Sequence, residues 1–324
     1  VLAAAEDATI YNVGGSRFSQ EGSDFSAFRV LYEDSIGAAY RGLGFISTSV
    51  SHPESDALVN GIDAHYLTTN GRWRFDGQLV HSNIDKVGSG IGVLGDIAYQ
   101  PRQGMKQLLQ LAYFDDTIDV NDFGFQQRNN MSEARYRIEI TKSSLTRIRD
   151  LLITPFAVYQ VNGDGFRTGT AIGADFNLNL NNFDRIISFI AWSTERFDDR
   201  NSFGNGTFRV NARLNLNVVY RTNTARKLSF FARIGSQGEA TGGFKTDLEA
   251  GLVWQPISNL KMEAKALFSD RNGWLIHQED KNFTEFKAAV WQPQLRLEFF
   301  PTAMQQFQIA LQWVGIRAKE DRFY

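Results

Sequence analysis

Phe208-Arg209-Val210-Asn211-Ala212-Arg213-Leu214-Asn215-Leu216-Asn217-Val218-Val219-Tyr220 is the stretch on which the fold turns. Successive side chains of an extended strand point to opposite sides. Phe208, Val210, Ala212, Leu214, Leu216, Val218 and Tyr220 therefore share one apolar face, while Arg209, Asn211, Arg213, Asn215 and Asn217 share a polar one. The alternation outlasts the mean strand of a soluble domain, about 5–6 residues, and matches a tilted membrane-crossing strand of about 9–11. The apolar face is expected to meet lipid and the Arg/Asn face a wet interior. That reading predicts an all-β chain forming a transmembrane antiparallel up-and-down β-barrel.

The same alternation recurs outward in both directions. Strands are expected near 25–33, 36–50, 57–69, 72–84, 89–100, 105–119, 130–142, 150–162, 166–180, 184–197, 206–221, 226–239, 243–256, 259–271, 283–300 and 304–318, about sixteen in all. No helical spacing is sustained and no linker interrupts the pattern, so residues 1–324 are read as one barrel domain. Short connections (34–35, 69–71, 101–104, 181–183, 222–225, 256–259, 301–303) alternate with mostly longer polar ones (51–56, 120–129, 198–205, 272–282). Outer-membrane barrels sort their connections this way, with short turns on the periplasmic side. Trp73, Tyr99, Tyr220, Trp254 and Phe300 lie near the short turns, where an interfacial aromatic girdle belongs, and a buried aromatic core is the alternative.

Composition agrees. The 324 residues carry a formal charge of −2, so no basic footprint suggests nucleic acid as a partner. Cysteine is absent, which removes disulfides, thiolate metal sites and Cys nucleophiles. No apolar run is long enough for a membrane helix. The mean hydropathy of −0.29 suits a barrel, half of whose strand residues are polar. Val1-Leu2-Ala3-Ala4-Ala5 lacks the features of a signal peptide and reads as the end of a strand.

Charge alternates with apolar residues in strand after strand. Arg72, Arg74 and Asp76 interleave with Trp73 and Phe75, and Glu133, Arg135, Arg137 and Glu139 with Ala134, Tyr136 and Ile138. Lys245, Asp247 and Glu249 interleave with Phe244, Thr246 and Leu248, and Lys261, Glu263 and Lys265 with Met262 and Ala264. Arg or Lys at the lipid midplane costs about 2–4 kcal/mol, so these residues must face inward. The expected lumen wall is a basic strip of Arg209, Arg213 and Arg233 beside an acidic strip of Asp247, Glu249 and Glu263. That pattern reads as a transverse selectivity field or as a salt-bridge lattice closing the pore. Apolar parity switches from Phe286, Ala288 and Val290 to Leu295, Leu297 and Phe299, which predicts a β-bulge at Pro293.

Phe28-Arg29-Val30 with Ser35-Ile36-Gly37, the stretch Asp119 to Asn129, and Leu311 to Tyr324 resemble the barrel half of a bacterial outer-membrane family, domain of unknown function 5916. Its members pair an N-terminal family-nine carbohydrate-binding module with the barrel. The module is missing here, and the resemblance implies a further strand beyond Asp321-Arg322-Phe323-Tyr324. The sequence is accordingly expected to be trimmed at both ends, with about eighteen strands in the complete barrel, an even number.

Other motifs carry less. Gly90-Ile91-Gly92-Val93-Leu94-Gly95 matches the dinucleotide fingerprint, but a strand follows instead of a helix, so small residues in a wall are the reading. Asn162-Gly163-Asp164-Gly165 reads as a hairpin turn instead of a calcium loop. His52, His65, His81 and His277 lack metal-ligand spacing, and neither metal nor other cofactor is expected. His65 with Asp63 is the one compact pair for hydrolysis. In the loop Asp119-Val120-Asn121-Asp122-Phe123-Gly124-Phe125-Gln126-Gln127-Arg128-Asn129, the residues Asp119, Asn121, Asp122, Phe125, Arg128 and Asn129 form a latch over the lumen or, alternatively, a sugar or partner site with Phe123 or Phe125 stacking. Loop 272–282 exposes Trp274, which either enters the pore or docks a partner.

The expected function is an outer-membrane channel or uptake pore of a Gram-negative cell with a charged lumen, glycan being a solute class implied only by the resemblance. The alternative is a plugged barrel anchoring a periplasmic or surface protein, and a barrel hydrolase ranks last. Outer-membrane lipid is the expected partner throughout.

Overall fold

The computed structural model describes residues 1–53, 55–121, 124–302 and 304–324. They form two compact units, Val1–Tyr136 with Tyr159–Phe166 and Arg137–Val158 with Arg167–Tyr324. Among the described residues every regular element is a strand.

The first unit contains β1 (Leu2–Ala5), β2 (Thr9–Val13), β3 (Ser16–Gln20), β4 (Asp24–Ile36), β5 (Ala39–His52), β6 (Ser55–Leu67), β7 (Trp73–Ile84), β8 (Gly88–Arg102) and β9 (Met105–Phe114). From β4 to β9 each strand pairs antiparallel with the next, β1 pairs with β4, and β2–β3 is a separate ribbon. β10 (Met131–Ser143) and β11 (Ile148–Val161) are divided between the units. The second unit continues with β12 (Arg167–Leu180), β13 (Arg185–Ser193), β14 (Arg196–Asp198), β15 (Phe208–Val210), β16 (Arg213–Arg221), β17 (Leu228–Gly238), β18 (Phe244–Ile257), β19 (Leu260–His277), β20 (Phe283–Thr302), β21 (Gln305–Gln312) and β22 (Gly315–Phe323). Here β12, β13, β16, β17, β18, β19 and β20 form an antiparallel meander, and β20 then pairs with β21 and β22. The fold is all-β, antiparallel and up-and-down, as the alternation predicts.

Register sorts the side chains, because directly opposed residues share a face. In the first unit Val30, Phe45, Ile62, Leu79, Val93 and Tyr113 form one continuous row from β4 to β9. Each is 38–53% exposed. In the second unit Val218, Ile234, Leu248, Phe268 and Trp291 form the corresponding row from β16 to β20 at 39–55% exposure. A water-soluble sheet would bury such rows under a second layer. A small buried cluster lies in the first unit, where Val50, Ala57 and Ile84 meet Phe25.

Of the five aromatics expected beside the short turns, Trp73, Trp254 and Phe300 are exposed, whereas Tyr99 and Tyr220 are half-buried and Tyr220 turns its hydroxyl to Asp184. Trp73 stacks on Tyr99 at 4.2 Å.

Several boundaries differ from expectation. The long strand at 206–221 breaks at Asn211–Ala212: Phe208–Val210 pairs with Arg196–Asp198 as a small ribbon, and only Arg213–Arg221 joins the meander. The alternation continues through the break, so parity could not reveal it, and the Asn211 N–H donates to Ala240 O instead of to a ladder partner. The turn expected at Asp34-Ser35 lies at residues 37–38, where Gly37 takes φ +64°, and Asp34 and Ser35 remain in the ladder. Loop 272–282 shrinks to 278–282, because β19 runs on to His277. A register shift between Asn272 and Trp274 flips the alternation there and disguises the strand.

The bulge expected at Pro293 is absent, as β19 and β20 stay in register through Ala266↔Pro293. The interruption falls instead in the neighbouring chain, between β21 and β22. The Trp313 N–H donates to Pro293 O at 3.1 Å, and proline has no N–H to return. The last strand also extends past residue 318 to Phe323, with Tyr324 exchanging backbone hydrogen bonds with Phe283. Glu54 and Ala303, in the expected connections 51–56 and 301–303, lie outside the described residues.

Candidate functional site

On the second unit, the residues that alternate with the exposed apolar row form a charged lattice. Arg233 lies between β16 and β18 neighbours, donating to Asn217 Oδ1 at 3.0 Å and pairing with Asp247 at 3.4 Å and Glu249 at 3.5 Å. Lys245 reaches Asp247 at 2.9 Å. Lys261 lies 3.9 Å from Glu263 and 3.7 Å from Glu298, and Arg296 pairs with Glu298 at 2.6 Å. Asp247 is buried, while its cationic partners and the remaining members are partly solvated, so single pairs are worth about 0–1 kcal/mol and act mainly by holding one another in place.

The separate basic strip does not form. Arg209 sits in the β14–β15 ribbon and pairs with Glu195, away from the meander. Arg213 begins β16 and packs beneath Gly238, whereas Arg233 is interleaved with the acids. Cross-strand pairing joins the two signs, because Arg233 stands directly opposite Glu249.

On the first unit, the polar face centres on His65. Its Nδ1 is 2.8 Å from Asp76 and its Nε2 3.1 Å from Asp63. Arg29 braces Asp63 at 3.4 Å and Arg74 braces Asp76 at 2.8 Å. Asp63 lies over Gly44, its partner on β5, where any side chain would collide with the carboxylate. An imidazole engaged by carboxylates on both nitrogens leaves neither free to take a proton from a nucleophile, so His65 works as a strut.

The third feature is the segment after β9. Asp115 anchors it, accepting from the backbone N–H of Ile91 through Oδ2 and from those of Thr117 and Ile118 through Oδ1. The Asp119 N–H donates to Ser82 Oγ, and the Thr117 hydroxyl to Ser89 O. Ile118, 1% exposed, drops onto Gly90 and Gly92 of β8. A Cβ on Gly90 would strike the Ile118 backbone, and one on Gly92 would crowd Phe114 and Ile118. Gly90 pairs with Ser82 and Gly92 with Val80, so the segment seats on the face opposite Leu79 and Val93. Gly90 and Gly92 of the fingerprint-like stretch thus supply a notch for a latch.

The expected latch residues divide. Asp119 accepts from the Asn121 backbone and side chain, Asn121 accepts from the Gln126 N–H, and Asn129 donates to Asp116 O and Ile118 O. Gln126 donates to Arg128 O. Phe125 is exposed, while Asp122 and Phe123 lie outside the described residues. Trp274 is not a loop residue: it lies in β19, with Arg271 over its ring at 4.5 Å. Arg72 belongs to the turn before β7, not to a strand. Arg135 pairs with Glu133 at 3.2 Å, and Arg137 lies 3.6 Å from Glu139. Asp115, Ser82 and Ile118 escaped sequence reasoning. Asp115 sits where 105–119 reads as continuous strand, and a seat for Ile118 exists only once β7 and β8 pair.

Asp184, between β12 and β13, ties a short turn together. The Tyr220 hydroxyl donates to it at 2.7 Å, the Asn223 N–H at 2.9 Å, and Arg226 stands 3.2 Å away. The Tyr220 hydrogen bond, then the Asn223 N–H, hold its carboxyl below the usual carboxylate range. Among the described residues no group of three or more His, Asp or Glu side chains could hold a metal ion.

The sequence model of a family described as a domain of unknown function, DUF5916, matches residues 23–290. No curated protein is similar in sequence to the chain. Among solved structures, OccK10 (OpdN) of Pseudomonas aeruginosa is similar with a TM-score of 0.48 and 10% identity, over 99% of this chain and 94% of that one. The outer membrane transporter YddB of Escherichia coli is similar with a TM-score of 0.47 and 9% identity, over 94% of this chain and 56% of that one.

Proposed function

The chain belongs to the DUF5916 family, and from that premise we propose that it is an outer-membrane β-barrel of a Gram-negative cell, acting as a channel or uptake pore for small polar solutes. One observation carries this reading. The rows Val30 to Tyr113 and Val218 to Trp291 stand exposed, while charge gathers on the opposite face of the same strands. In water that arrangement wastes the hydrophobic effect, and in a bilayer it satisfies both faces. The polar face then lines the lumen, with Arg74, Arg135, Arg137, Arg213, Arg233, Asp247, Glu249 and Glu263 along it. Paired signs there predict weak charge selectivity. The glycan part of the reading draws only on the family's association with a carbohydrate-binding module.

A second reading, a plugged barrel anchoring another protein, is favoured by the latch, since Ile118 and its hydrogen bonds cover part of the polar face. Conductance in a planar bilayer separates the two. Discrete current from the folded protein supports the channel, and its absence from inserted protein discards the channel in favour of the anchor. A protein that stays soluble without detergent or lipid sinks both.

A further inference from the structure

We propose that Arg196 and Arg213 bind an oxyanion, the carboxylate or phosphate group of a small solute; this rests on the pore reading above and gives it a solute class. Arg213 opens β16, on the face it shares with Asn215 and Asn217, and its direct ladder partner is Ser193. That places it on the polar face, at the end of β16 remote from the short turn 222–225. Three residues past Ser193, Arg196 starts the β14–β15 ribbon, directly opposite Val210, which is 1% exposed. The stem of Arg213 lies against Gly238, where an added Cβ would stand 3.1 Å from its own. Both guanidiniums therefore project from anchored backbone, and both residues are half-buried.

Charged groups taken out of water are paired as a rule, since an unmatched one is costly. These two break the rule. Among the described residues neither guanidinium makes a hydrogen bond or an ion pair. The charges that bear on Arg213 are Arg196, Glu239 and Asp198, and Asp198 also bears on Arg196. Both carboxylates are committed elsewhere. Asp198 Oδ1 accepts from the backbone N–H groups of Arg200 and Asn201, and its Oδ2 from the Asn201 side-chain amide. Glu239 Oε1 accepts from Arg271 Nε at 2.8 Å. Counting Arg271, three cations (Arg196, Arg213, Arg271) face two carboxylates (Asp198, Glu239), which leaves one positive charge and two guanidinium forks without acceptors. An oxyanion answers both needs, bringing a negative charge and paired oxygens spaced for the bidentate hydrogen bonds of arginine. A neutral sugar lacks the charge, and chloride lacks the paired oxygens.

The test follows the Tm of the folded whole chain in detergent while acetate or inorganic phosphate replaces chloride at constant ionic strength. Wild type should show a saturable rise with at least one of the two, and the tighter of them identifies the group recognised. Each fork removed costs charge-assisted hydrogen bonds, so Arg196→Gln and Arg213→Gln should each need roughly 10- to 100-fold more anion for the same rise. The pair Arg196→Lys with Arg213→Lys keeps both charges and loses the forks; it should fold and bind about tenfold more weakly. No saturable rise in wild type, or a Gln variant with wild-type affinity, would overturn the proposal. Wild-type affinity in the Lys pair would do so too, even where the Gln variants do not fold. Planar-bilayer current from the same preparations separates the site from the reading beneath it. Current without saturable binding discards the site and keeps the pore, whereas binding by inserted protein that carries no current keeps the site and discards the pore.

Discussion

Leu248 and Glu249 are chain neighbours with opposite surroundings. Leu248 belongs to an exposed row with Val218, Ile234, Phe268 and Trp291, whereas Glu249 reaches Arg233 across the reverse face. The apolar row holds nothing by specific contact. Its contribution depends on the solvent it meets, and so it should be intolerant of charge and indifferent to shape. The charged face is the converse: each group has a named partner, water reaches most of them, and individual losses are absorbed. The latch seat is a third kind of surface, in which backbone meets backbone and shape is everything.

The most damaging substitution should therefore be Leu248→Arg. It is expected to cost about 2–4 kcal/mol in a bilayer, read from urea unfolding in vesicles, with Leu248→Phe close to neutral. Equal tolerance of both would mean that this face does not meet hydrocarbon. Gly90→Val comes next, at about 1–3 kcal/mol, because the added side chain meets the Ile118 backbone and cannot be relieved by a rotamer change. It should also free residues 115–130 for protease cleavage and raise conductance; unchanged protection would show that the notch does not hold the latch. Arg233→Gln should cost only about 0–1 kcal/mol, since Lys245 still pairs Asp247. Its clearer signature is a reversal potential shifted toward cations, the acids on that face having lost a counter-charge.

The smallest effect at neutral pH is the titration of Asp184. A carboxyl held below its ordinary pKa stabilises the folded state fully above that ordinary value, near pH 4, and loses the contribution as pH falls through the folded value. Wild type should accordingly lose Tm in acid more steeply than Asp184→Asn. Parallel pH profiles would remove this turn from the account.

Much of the wall was legible in one dimension. The interleaving of Lys245, Asp247 and Glu249 with Phe244, Thr246 and Leu248 prescribes both faces of β18 before any partner is known, because strand parity is local. Two kinds of feature escaped that logic. A bulge at Gly273 reverses parity and made the end of β19 look like a loop, drawing Trp274 into the wrong class. The break at Asn211 preserves parity, so Arg209 looked like part of the wall. At Pro293 the disturbance was expected in β20 but appears in its neighbour, since the missing N–H is felt by the strand that would have accepted it.

By itself, then, the sequence determined which residues lie back to back along each strand, since alternation needs only the extended backbone. The tertiary structure decided which residues meet across strands: Arg233 with Glu249, His65 between Asp63 and Asp76, Ile118 upon Gly90. Those contacts depend on register and on chain returning from a distance, and neither quantity is written in the local period of two.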